Sequence, residues 1–168
     1  MSDNSYQQAK AQLASIRELV HALDTDFDRL AELQEQQSDY ETALKDEDED
    51  AHVLAPSNEE LEELSNLEEQ AAGYLDVDAV EEAIQQDPLD VQVRSGWHTP
   101  GDDMEPEDFY ILLATGGPAV RIRGELDEHL QPCRAWIEHQ DWFEPWQDFI
   151  ESDTQDVLLS YCSHFYFG

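Results

Sequence analysis

Cys162 and His164 stand two residues apart near the end of the chain, His98 is followed by Asp102 and Asp103, and His139 by Asp141. These are the residue types of thiol nucleophiles and metal centres. Their spacing argues against both. Residues 157–167 read as a closing strand, which puts Cys162 and His164 on one face at i and i+2, usually too far apart for a Cys–His pair. The histidines lack the tight His/Cys spacing of a zinc site, and the carboxylates lack the fixed ladder of an EF-hand loop. With 41 acidic residues, a histidine near an aspartate is expected by chance. Gly116-Gly117 lacks the further glycines and the lysine of a phosphate loop and reads as a hairpin turn. Cys133 and Cys162 read as buried thiols of a reducing compartment. No catalytic residue, metal site or cofactor is assigned, and an enzyme is not expected.

The remaining chemistry is charge. Against the 41 acidic residues stand 8 basic ones, for a formal net charge of -33. Seventeen of the acids lie between Asp46 and Asp90, and no basic residue occurs between Lys45 and Arg94. Ordinary helix surfaces mix signs to gain i,i+4 support. An unmixed block repels nucleic acid and anionic membranes and attracts basic protein surfaces. The candidate partner-binding residues are Asp46, Glu47, Asp48, Glu49, Asp50, Glu59, Glu60, Glu62, Glu63, Glu68, Glu69, Asp76, Asp78, Glu81 and Glu82. Carboxylates at i, i+3 and i+4 on a helix stand about 5–6 Å apart, comparable with phosphates along one DNA strand.

The elements that must position these groups follow from periodicity. Tyr6, Leu13, Val20 and Phe27 recur every seven residues, as do Ala9, Ile16, Leu23 and Leu30. This a/d seam predicts one long coiled-coil-like helix over 5–45, roughly 60 Å long, which needs a partner helix. Ser57-Asn58-Glu59-Glu60 has the capping-box pattern, with Leu61, Leu64, Leu67, Ala71 and Leu75 following at helical spacing. Asp76 or Asp78 caps a further turn or two, and Asp87-Pro88 stops it. The two helices most simply form an antiparallel hairpin, with a homodimer through the N-terminal seam as the alternative. After Pro88, residues 91–97, 109–114, 119–126, 133–139 and 157–167 read as strands, and 141–146 as an aromatic turn into a short helix or loop. The fold class is α+β: a helical hairpin, residues 1–88, then an antiparallel sheet of four or five strands, residues 89–168. Trp97, Trp136, Trp142 and Trp146 read as core aromatics rather than a binding platform, and Arg121 and Arg123 as partners of internal carboxylates. No apolar run approaches a membrane span, and the N-terminus lacks a signal-peptide layout, so a cytoplasmic protein is expected.

The segments DFYILLATGGPAVRIRGEL, CRAWIEHQDWFEPW and LLSYCSHFYFG, within residues 107–168, resemble a group of small proteins carried by bacterial plasmids, integrative elements and phages. That resemblance brings no catalytic residues. It implies a mobile-element setting, where acidic inhibitors of restriction and CRISPR enzymes are common. Residues 1–90 carry no motif of their own but have the composition of DNA-mimic inhibitors. The expected function is therefore a DNA mimic that occupies the DNA-binding surface of a defence enzyme. Its expected partner is a basic nucleic-acid-binding protein or complex, not nucleic acid or a membrane. The alternatives are an acidic adaptor or chaperone for a basic protein, and a halophile-type protein whose charge serves solubility.

Overall fold

The computed structural model describes residues 3–47 and 50–168. It is an α+β fold: helices α1 (Asp3–Leu23), α2 (Phe27–Lys45), α3 (Ala51–Leu54), α4 (Asn58–Ala71) and α5 (Val77–Gln86) precede a five-stranded sheet and a last helix. The strands are β1 (Asp90–Arg94), β2 (Asp108–Ala114), β3 (Ala119–Leu126), β4 (Pro132–Gln140) and β5 (Gln147–Phe149), followed by α6 (Gln155–Cys162). The chain forms two compact units, one made of the first twenty residues with Glu81–Gly168, the other of His21–Val80. Among the described residues no helix is long and apolar enough to cross a membrane.

In the sheet unit the strands run in the order β1-β2-β3-β4-β5, each antiparallel to its neighbours. Alternation decides which face is covered. Phe109, Ile111 and Leu113 of β2, Val120 and Ile122 of β3, Ala135 and Ile137 of β4 and Phe149 of β5 are buried on one side. Each large side chain so buried contributes about 1.5–3 kcal/mol. Gly124 faces Phe109 across the β2–β3 pair, and the Phe109 ring lies where a Cβ on residue 124 would be. Helix α1 belongs to this unit: Ala9, Leu13 and Ile16 are fully buried, Tyr6 packs 4.9 Å from the Phe149 ring, and Arg17 pairs with Glu151 at 2.7 Å. The first half of the heptad seam is therefore covered within the chain itself.

In the helical unit, the expected single helix over 5–45 is two helices. The seam continues through Val20, Leu23, Phe27 and Leu30, but the backbone turns at Asp24-Thr25-Asp26. There the Asp26 carboxylate accepts the Arg29 N–H at 3.0 Å and caps α2. Short polar side chains that bond their own backbone compete with helix, and three in a row end it without Gly or Pro. Helix α4 forms as the capping box dictates: Glu60 N–H donates to Ser57 Oγ at 3.2 Å, and Ser57 N–H donates to Glu60 Oε2 at 2.8 Å. Helices α2 and α4 make the hairpin, tied by Arg29 to Glu63 and by Gln34 Nε2 to Glu68 at 3.1 Å. The α4 leucines are less covered than their spacing suggests: Leu64 and Leu67 are half-buried and Leu61 is exposed.

Three further expectations are corrected. Residues 157–167 are not a strand; Val157, Leu158, Tyr161 and Cys162 recur at helical spacing and lie in or against α6, with Leu158, Tyr161 and Cys162 fully buried. A short apolar run cannot be assigned by periodicity alone. Residues 147–149 form the edge strand β5, with Ile137 opposite Phe149 and His139 opposite Gln147, where a loop or helix is expected from sequence. The first strand begins at Asp90 and ends at Arg94, before Trp97.

Candidate partner-binding surface

The helical unit holds twenty acidic residues against Arg29 and Lys45, so sixty residues carry -18 of the net -33. Within it, carboxylates differ in how free they are. Glu63 accepts two hydrogen bonds from Arg29, Nε at 3.1 Å and Nη2 at 2.9 Å, which hold its carboxyl below the usual carboxylate range. Glu60 is held low by the Ser57 backbone N–H first and the Ser57 hydroxyl second. These two glutamates serve the fold. Glu59, Glu62, Glu68 and Glu69 are exposed, with Glu68 shared with Gln34. Glu59, Glu62 and Glu69 lie at i, i+3 and i+10, on one side of α4.

A second row stands on α2. Asp28, Glu32, Glu35 and Asp39 are all exposed and follow i, i+4, i+7, i+11, a single stripe about 16 Å long. Over that length one DNA strand carries about five phosphates, and this row carries four carboxylates. Glu32, Glu35 and Asp39 line a cavity of about 320 Å³ with Gln36 and the half-exposed Leu54 of α3. Charge density alone does not mark this row, because the stripe is interleaved with Gln34, Gln36 and Gln37 and lies outside the dense 46–90 block. The helical period over Asp28–Asp39 was the available signal.

The other candidate residues scatter. Asp46 is the C-cap of α2, and Glu47 follows it at a positive φ of 56°. Asp48 and Glu49 lie outside the described residues. Asp50 precedes α3. Asp76 caps α5, accepting the Ala79 N–H at 2.8 Å, and Asp78 sits exposed in the first turn. Glu81 and Glu82 belong to the sheet unit, Glu81 at 4.0 Å from His164 and Glu82 accepting from Gln86.

The sheet face opposite the core gathers the four arginines of the C-terminal half. Arg94 pairs with Asp108, Arg121 with Glu138 at 2.6 Å, Arg123 with Asp108 at 3.9 Å, and Arg134 with Glu125 at 3.3 Å. Arg121 lies 4.0 Å over the Trp146 ring, and Trp136 has Arg123 and Arg134 at 5.7 and 5.4 Å. Arg121 and Arg123 thus find carboxylates, as expected. The tryptophans do not sit in the core: Trp136 and Trp146 are half-buried, and Trp97 and Trp142 exposed.

Cys133 is exposed, contrary to expectation, at the start of β4; Cys162 is buried in α6, and burial pushes its thiol up, away from nucleophilic form. With α6 a helix, the shared strand face of Cys162 and His164 disappears. His139 and Asp141 do meet, through Ser5 of α1, 134 positions from His139: Ser5 Oγ lies 2.8 Å from His139 Nδ1 and donates to Asp141 Oδ2 at 3.0 Å. The types match a hydrolase triad, but the wiring is different. The serine donates to the carboxylate, and the direction of its second bond follows the tautomer of the His139 imidazole. Ser5 and His139 are both buried, and their bond joins α1 to β4. Among the described residues no group of three or more His, Cys, Asp and Glu is placed to hold a metal ion.

No family model matches the chain, and neither a curated protein nor a solved structure does.

Proposed function

We propose that the protein is a DNA mimic that inhibits a nucleic-acid-binding defence enzyme, of restriction or CRISPR type, by occupying its DNA-binding surface. The observation that supports this reading most is the α2 row, Asp28, Glu32, Glu35 and Asp39, four exposed carboxylates at near-phosphate spacing on an ordered helix. The α4 row of Glu59, Glu62 and Glu69 adds to it. A halophile-type surface would spread acid evenly, whereas here little more than a third of the chain carries over half of the net charge. The bidentate Arg29–Glu63 pair keeps α2 and α4 together against the mutual repulsion of the surrounding carboxylates, so the rows are presented already formed. Preorganised charge costs less ordering on binding than a flexible acidic tail.

The test is displacement. Purified protein added to DNA-bound restriction or CRISPR nucleases at physiological salt is expected to release DNA from at least one, in stoichiometric ratio and less effectively as salt rises. An adaptor for a basic protein would bind its partner without competing with DNA.

A further inference from the structure

We propose that the loop Asp141–Trp146, at the far end of β4, is an apolar anchor whose Phe143 packs against an apolar patch on a basic protein partner. The Glu144 N–H donates to the Asp141 carbonyl at 3.2 Å, closing a four-residue turn with Trp142 and Phe143 at its centre. Phe143 has φ of 63°, the backbone of a type II turn, whose third position Gly or Asn ordinarily fills. A bulky side chain there is a genuine outlier. The fold buries none of it: Phe143 is fully exposed (101%).

The turn is held at several points rather than left loose. Trp142 packs against Gly117, where any Cβ would collide with the indole. Gln140 Nε2 donates to the Glu144 carbonyl. Trp146 lies under Arg121. Trp142 remains 65% exposed, its ring 6.1 Å from that of Phe143, so two aromatic rings stand out together. An ordered aromatic pair on a fixed loop loses little entropy on insertion, which is the property of interface anchors. Exposed Glu144 and Asp148 lie beside it, and the unit's other acids exclude an acidic partner surface. The complementary site is an apolar patch rimmed by Lys and Arg. This inference rests on the proposed basic partner and adds a contact on the sheet unit.

Two synthetic peptides of equal positive charge test it, one with Leu and Lys at helical spacing, one with Gln replacing every Leu. The native protein is expected to bind the Leu peptide at least tenfold more tightly, and Phe143→Gly to lose that preference while keeping its affinity for the Gln peptide. Phe143→Gly is also expected to leave the melting temperature unchanged or raised, because glycine suits the positive φ. Equal affinity of the native protein for both peptides, a preference that survives in Phe143→Gly, or a fall in melting temperature would each overturn the anchor while leaving the charge reading in place. Failure to bind either peptide would overturn both.

Discussion

Arg29 of α2 grips Glu63 of α4 through two parallel hydrogen bonds, at 3.1 and 2.9 Å, and also reaches Glu32 at 3.3 Å. One guanidinium thus offsets part of the repulsion between the hairpin's two helices, in a unit whose only other Lys or Arg is Lys45. Arginine suits this position because its planar fork matches a carboxylate and stays charged at all working pH values. The carboxylates around it hold the guanidinium even more firmly protonated than usual, the Glu63 hydrogen bond first among the causes.

Glu63→Gln is therefore expected to destabilise the helical unit at neutral pH. The pair lowers the Glu63 pKa, so its stabilisation is fully present above the ordinary glutamate range and is lost as pH falls through the depressed value. Thermal melts of native and Glu63→Gln protein across that range should converge on acidification. A gap that stays constant down to acid pH would remove the ion pair as its cause.

Ser57→Ala should cost about 1 kcal/mol, the usual loss of a serine N-cap. Hydrogen exchange locates it: the Glu60 amide, which donates to Ser57 Oγ, should lose protection before amides in the middle of α4.

Gly124→Ala should cost about 1–3 kcal/mol, because the new methyl meets the Phe109 ring and the Arg134 carbonyl on a strand flanked on both sides. Denaturant unfolding checks this, and a cost below half a kilocalorie would mean that Phe109 repacks freely.

The legible parts of this fold are those where one local rule decides. Ser57 and Glu60 three residues apart announce the start of α4, alternation in 119–126 and 133–139 announces β3 and β4, and the compact apolar run 109–114 marks β2. Where two patterns fit the same residues, the sequence reading fails. The seam through Leu23 and Phe27 continues in heptad register across a turn, so only the cap chemistry of Asp26 betrays the break. The run 157–167 is apolar enough for strand or helix, and tertiary packing of Leu158, Tyr161 and Cys162 decides for α6. Ser5 was beyond reach, because its role depends on a contact with His139 across most of the chain. Charge density peaks in residues 46–90, while the regular row Asp28, Glu32, Glu35 and Asp39 lies earlier, on α2.

Neutralising both carboxylate rows tests the mimic most directly: Asp28→Asn, Glu32→Gln, Glu35→Gln and Asp39→Asn on α2, with Glu59→Gln, Glu62→Gln and Glu69→Gln on α4. Arg29, Glu60 and Glu63, which serve the fold, stay in place, and Glu32→Gln removes only the longer 3.3 Å contact of Arg29, so helix content measured by circular dichroism should hold. The measurement is the concentration of protein that displaces half of the bound DNA from a susceptible nuclease. At about 0.2–1 kcal/mol per exposed ion pair, loss of seven should raise that concentration more than tenfold and flatten its salt dependence. Displacement by the folded variant at the native concentration and with the native salt dependence would contradict the mimic.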